Sequence, residues 1–170
     1  MKRVICVLPL LLMCMAPALA DSGDLKIKTV KNMYNAAIKS SQKGQDDDTL
    51  STLFKYSDKG LQNAIALSRI SRMDDEGDGF SDCHSAYETL IINPSNGYGI
   101  EEVNSIDYRL LNNGKVRASV RFEGNENIRS SNFTAFKDFS LKCSSNSCKI
   151  TDIFDFNGDS GKLNSEKLCR

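Results

Sequence analysis

The chain has 170 residues, with 22 Lys plus Arg against 22 Asp plus Glu, a single histidine and no tryptophan. A balanced charge without basic runs argues against nucleic acid as a partner, because a phosphate backbone is held by clustered Lys and Arg. One histidine leaves little material for a nucleophile–base pair or for a zinc centre.

Met1-Lys2-Arg3 opens the chain with positive charge, residues 4–12 are apolar apart from Pro9, and Ala18-Leu19-Ala20 sets small residues just before the polar Asp21. That order is the n-, h- and c-region of a secretory signal. The apolar run is shorter than the roughly twenty residues needed to span a bilayer. The expectation is a signal peptide over 1–20 and a single exported domain over 21–170, periplasmic or secreted, with no membrane insertion after cleavage. Cys14 raises a lipoprotein as a rival, but Leu12 and Met13 lack the small residue expected ahead of a lipidated cysteine. Lys2 and Arg3 leave with the signal and no acid does, so the remainder is mildly acidic.

Ile27, Val30, Tyr34, Ala37 and Ile38 recur at helical spacing, with Lys26, Lys28, Lys31 and Lys39 on the other face. This predicts an amphipathic helix over 25–41. Asp46, Asp47 and Asp48 precede Leu50, Leu53 and Phe54, which reads as the acidic start of a second helix with Asp48 as N-cap. Residues 56–60 break the pattern, and Leu61, Ala64, Ile65 and Ser68 resume it in a third helix to about Met73. Residues 74–82, rich in Asp and Gly, read as an exposed loop. Residues 83–94 stay open between helix and strand, since Thr89-Leu90-Ile91-Ile92 is too short to assign by period.

From Tyr98 the period becomes two. Ile106, Tyr108 and Leu110 alternate with polar positions, Asn112-Asn113-Gly114 signals a hairpin, and Val116, Ala118, Val120 and Phe122 form a half-buried strand. Phe133 and Ala135 alternate, then Phe139 and Leu141, with a bulge expected near Phe136. Cys148, Ile150, Thr151, Ile153 and Phe154 give the last strand. Helices followed by an antiparallel meander define an α+β domain.

Outside the signal stand Cys83, Cys143, Cys148 and Cys169. An even number fits an oxidising compartment. Cys143 and Cys148 flank Ser144-Ser145-Asn146-Ser147 between two strand-like runs, so a hairpin there sets them face to face at disulfide distance. That leaves Cys83 for Cys169. A zinc site built from all of them fits badly, for want of any C-x-x-C pair.

Val30-x-x-x-Tyr34, Tyr56-Ser57-x-x-x-Leu61-x-x-x-Ile65 and the ending Cys148-Lys149-Ile150-Thr151-Asp152-Ile153 carry a resemblance. With its helices-then-sheet order, the chain resembles the cystatin-like cone of the nuclear transport factor two-like superfamily. More narrowly, it is similar to a family of small exported bacterial proteins of unknown function. The resemblance implies N-terminal helices packed on a curved antiparallel sheet. That family has no agreed active site, so it assigns no functional residues here.

Several motifs invite chemistry. Gly158-Asp159-Ser160-Gly161 copies the nucleophile signature of trypsin-like proteases, but the segment around His84 does not supply the base, and a C-terminal turn is the better reading. The same residues fail as a phosphate loop, because Leu163 follows Gly161-Lys162. Asp155, Asn157, Asp159 and Glu166 partly match a calcium loop, as do Asp74, Glu76, Asp78 and Gly79, yet each lacks one defining position, and both read as solvated loops. His84 with Asp82 and the pair Glu101-Glu102 read as exposed groups rather than ligands or acids.

No cofactor, catalytic residue or metal site is therefore expected, and three functional classes remain. The first is a non-catalytic interaction, inhibitor or immunity-type protein whose unidentified protein partner meets the acidic loop Asp74, Asp75, Glu76 and Asp78. The second is a small-molecule carrier using the concave sheet face, where Tyr108, Leu110, Val116 and Phe122 either line a pocket or form plain core. The third is an enzyme using carboxylates on the same cone, by analogy of fold alone.

Overall fold

The computed structural model describes residues 22–43, 49–74, 82–93, 99–122 and 133–169. The expected signal over 1–20, the expected N-cap Asp48 and the acidic loop residues Asp75, Glu76 and Asp78 lie outside them.

The helical period is realised first in α1 (Ser22–Ser41), which buries Thr29, Val30, Met33, Tyr34 and Ala37 on one stripe. Tyr34 is fully buried yet satisfied, since its hydroxyl donates to the Ile92 carbonyl at 2.9 Å. The break at 56–60 separates α2 (Thr49–Tyr56) from α3 (Lys59–Asp74). Asp58 makes the restart possible: its carboxylate accepts the Leu61 N–H at 2.9 Å, satisfying an orphan donor of the new helix. The segment left open by period is α4 (Asp82–Leu90), followed by a 3-10 turn at Ile100–Glu102.

Four antiparallel strands follow in the order β1 (Ser105–Leu110), β2 (Val116–Phe122), β3 (Phe133–Cys143) and β4 (Cys148–Phe154), as an open meander. The β1–β2 hairpin turns at Gly114, whose φ of 77° is the left-handed backbone that glycine adopts without strain. Val116, Ala118, Val120 and Phe122 face the helices and are fully buried. They join Phe139, Ile150 and Ile153 of the sheet and Tyr34, Leu53, Leu61 and Ile65 of the helices in one core.

Two expectations are corrected here. The β2–β3 register runs unbroken from Val116↔Phe139 to Phe122↔Phe133, so there is no bulge at Phe136. The irregularity lies against β4, where Ser140 faces Asp152 and Leu141 faces Ile150, leaving Thr151 as the extra residue. Phe136 needs no place in the core because the Arg117 guanidinium lies 3.7 Å from its ring centroid on the outer face. The second correction is at 158–161, where the expected terminal turn opens into α5 (Gly161–Leu168). Ser160 is its N-cap, accepting the Leu163 N–H at 3.0 Å, so this serine is spent on folding.

The two sheet edges differ. β4 is met by Ser57 in a parallel bridge to Ile150 and by Ser160 in an antiparallel bridge to Phe154. β1 has β2 on one side and, among the described residues, no strand on the other.

Candidate functional site

α4 and α5 run antiparallel, because Cys83 at the start of α4 is bonded to Cys169 at the end of α5, with 4.8 Å between their Cα atoms. At the other end of the pair, Gly161 packs against the end of α4 so closely that a Cβ there would lie 2.9 Å from a Leu90 methyl. Asp152 fixes this junction. It accepts the Ser160 hydroxyl at 2.7 Å and the Lys162 N–H at 3.1 Å.

The turn leading into α5 is set by Asp155, whose Oδ1 accepts the N–H groups of Asn157 and Asp159, both at 2.9 Å. Between this turn, the last turn of α4 and the first half of β3 lies a cleft of about 770 Å³. Its lining includes Glu88, Lys137, Asp155 and Asp159, the aromatic residues Phe133 and Phe156, Phe136 from the strand edge of β3, and Asn93, Asn157 and Asn164.

Lys137 is the centre of this corner. It sits on the core face of β3, level with Ala118 and between Ala135 and Phe139, and is only 5 % exposed. Its ammonium donates to the carbonyls of Thr89 at 2.9 Å and Glu88 at 3.3 Å. These belong to the last turn of α4, where the backbone has orphan acceptors and the helix dipole favours a cation. Burial pushes the Lys137 amine down to about 8, against the opposing pull of the Asp155 and Glu88 carboxylates. The next residue, Asp138, turns to the other face and is held by a fork from Arg117, at 2.6 and 2.8 Å. Neither Asp138 nor Arg117 lines the cleft.

Glu88, Asp155 and Asp159 thus set three carboxylates against one ammonium, and that ammonium is engaged by the backbone of α4. Phe156, at the mouth, is 73 % exposed. The arrangement combines an aromatic anchor, amides and negative charge, and is suited to cationic or hydrogen-bonding groups.

Of the residues singled out in the sequence, Cys143 and Cys148 face each other at the loop end of the β3–β4 hairpin and are bonded, as are Cys83 and Cys169. Asp74 closes α3, and the rest of the acidic loop lies outside the described residues. Tyr108, Leu110, Val116 and Phe122 do not line the cleft; Val116 and Phe122 are core. His84 stands on α4, 3.7 Å from Glu88. Glu102 caps the 3-10 turn by accepting the Gly99 N–H at 2.6 Å. The calcium-like set is dispersed: Asp155 is taken up by backbone N–H groups, and Glu166 lies on α5 beside Lys162 at 4.0 Å. Among the described residues no three His, Cys, Asp or Glu converge as metal ligands, and no helix is long and apolar enough to cross a membrane.

Sequence reasoning passed over Lys137. The signal was present, because 133, 135, 137 and 139 share one face of a strand and a lysine interrupts Phe, Ala and Phe there. Comparison with protein families, with curated proteins and with solved structures finds no match.

Proposed function

We propose that the protein is a non-catalytic exported binding protein of the interaction or inhibitor type, and that it engages a basic segment of a protein partner through the cleft beside Lys137. The observation that carries this reading is the rim itself: an exposed Phe156 ring among Glu88, Asp155 and Asp159. Exposed aromatics in concave, charged surroundings are the residues on which binding energy concentrates. Complementary charge steers and orients the partner. The two disulfides suit an oxidising compartment, in keeping with the signal read from residues 1–20. The engagement of Lys137 by the end of α4 and of Asp138 by Arg117 supports a structural part for both, rather than turnover.

A small-molecule carrier is the second reading, favoured by a cleft volume within the usual range for ligands. The test uses the oxidised protein immobilised beside its Phe156→Ala/Asp159→Lys variant. The side chains of both residues are exposed, and the turn is held by the backbone of Asp159, so the fold is kept. Exposed to the exported fraction of the source cell, the wild type should retain a protein that the variant loses. Retention of the same proteins by both would remove the cleft from the reading. Retention of a small molecule instead, detected by mass spectrometry of the denatured complex, would establish the carrier.

A further inference from the structure

The open edge of the sheet carries a pattern that is complementary to itself. Leu111 donates to the Lys115 carbonyl at 2.8 Å, one step beyond the Leu110↔Val116 pair. In an antiparallel ladder hydrogen-bonded pairs alternate with non-bonded ones. Ser105, Asp107 and Arg109 therefore direct their backbone groups to β2, and Ile106, Tyr108 and Leu110 direct theirs to the open side. Edge strands of monomers are commonly interrupted by proline, a bulge or charge of one sign. β1 has no proline, its register with β2 is unbroken, and its two charges are opposite.

We infer that two copies of this chain pair through β1, antiparallel about a two-fold axis at Tyr108, joining their sheets into one. In that register Tyr108 meets the partner's Tyr108, and Ile106 meets the partner's Leu110. All of these direct their N–H and C=O groups away from β2, to the side where no strand lies among the described residues, so every facing pair can exchange hydrogen bonds. Between them, in the closely spaced non-bonded positions, Asp107 meets the partner's Arg109, once on each side of the axis. Moving the axis to residue 107 would set two aspartates face to face, and moving it to residue 109 would set two arginines face to face. Like charges directly opposite oppose pairing, so the register is selected.

Two features within one copy point the same way. Arg109 lies opposite Arg117, whose guanidinium is committed to Asp138, so no carboxylate answers Arg109 from the neighbouring strand. The partner's Asp107 supplies it. Leu110 is 45 % exposed at the end of the strand, and the partner's Ile106 covers it.

The test is analytical ultracentrifugation of the oxidised protein with two reversals, Asp107→Arg and Arg109→Asp, alone and together. The wild type should dimerise, each single reversal should weaken the dimer by about ten-fold or more, and the double reversal should restore it, since the opposite-charge pairs are rebuilt. Amide exchange should show Ile106, Tyr108 and Leu110 protected in the wild type and in the double variant, and exchanging in both single variants. Both substitutions are at exposed side chains, and circular dichroism checks that the variants fold. A wild type that stays monomeric at several hundred micromolar, or a dimer unmoved by either single reversal, overturns the inference. Neither result bears on the cleft.

Discussion

The two disulfides staple opposite kinds of structure. Cys83–Cys169 spans 86 residues and joins two helices, whereas Cys143–Cys148 spans 5 at the tip of a hairpin. The helices it joins, α4 and α5, have 9 and 8 residues, below the roughly 12 to 15 at which a helix begins to stand alone in water. Their corner is assembled from tertiary devices: the buried bridge, the close approach at Gly161, the Asp152 clamp and the Lys137 cap. The hairpin tip has its own ladder, and Ser144 donates to the Ser147 carbonyl at 2.8 Å before any sulfur is counted. The same covalent bond is thus an organiser at one end and a reinforcement at the other.

The largest effect should come from removing the first bridge. For a closed loop of 86 residues the chain-entropy account gives about 4 to 5 kcal/mol, a substantial share of a domain's stability. Cys83→Ser with Cys169→Ser should lose most of that in urea unfolding monitored by circular dichroism. The variant should also show raised amide exchange in α4 and α5 while β2 and β3 keep their protection. A loss below about 1 kcal/mol would mean that packing alone holds the corner and would erase the contrast between the two bridges.

Lys137 tests the same corner through pH. Its folded value is near 8 and its ordinary value 10.5, so between these the unfolded chain binds more protons than the folded one. Stability contributed at this site therefore rises with pH across that window, because the cost of burying the charge is released as the amine becomes neutral. The full release is on the order of 3 kcal/mol as an upper bound. Measured against Lys137→Met, which keeps the apolar stem without the charge, the wild type should gain stability from pH 7 to pH 10.5. Parallel curves for the two proteins would show that the ammonium is not the buried charge that shapes this corner.

The strongly periodic parts of the molecule were legible before the structure. Ile27, Val30, Tyr34 and Ala37 announced α1, and the alternation from Val116 to Phe122 announced β2, because one side of each faces a continuous core. The candidate site was not legible, for a physical reason. α5 buries Gly161 and Ser165 and leaves Leu163 exposed, so it has no hydrophobic stripe to read. Its start is written in Ser160 and Asp152, which act through hydrogen bonds formed only after folding. At Lys137 the alternation was broken by a charge in a core position. The out-of-phase aromatic at Phe136 suggested a bulge, when the helix end opposite was supplying carbonyl partners. Composition and period report burial of apolar surface, whereas the cleft is built where polar groups replace it.

The smallest effect should come from the hairpin bridge, and its size measures how far the two ends differ. A loop of 5 residues gives about 2 kcal/mol on the same entropy account. That figure assumes an unfolded chain in which the two cysteines are otherwise free of each other. Residues so close in sequence already meet often, and the folded hairpin adds the 2.8 Å bond between Ser144 and Ser147 and the ladder pairing Lys142 with Lys149. Cys143→Ser with Cys148→Ser should therefore cost less than about 2 kcal/mol in the same urea experiment. Cys148 is buried, so part of that cost is lost packing against the core edge rather than lost cross-linking. Cys148→Ala with Cys143→Ser separates the two, because alanine keeps the site apolar. If the alanine pair unfolds as readily as the double-serine pair, the loss belongs to the bond. If it recovers most of the stability, the bridge is a reinforcement over a hairpin that stands by its own backbone.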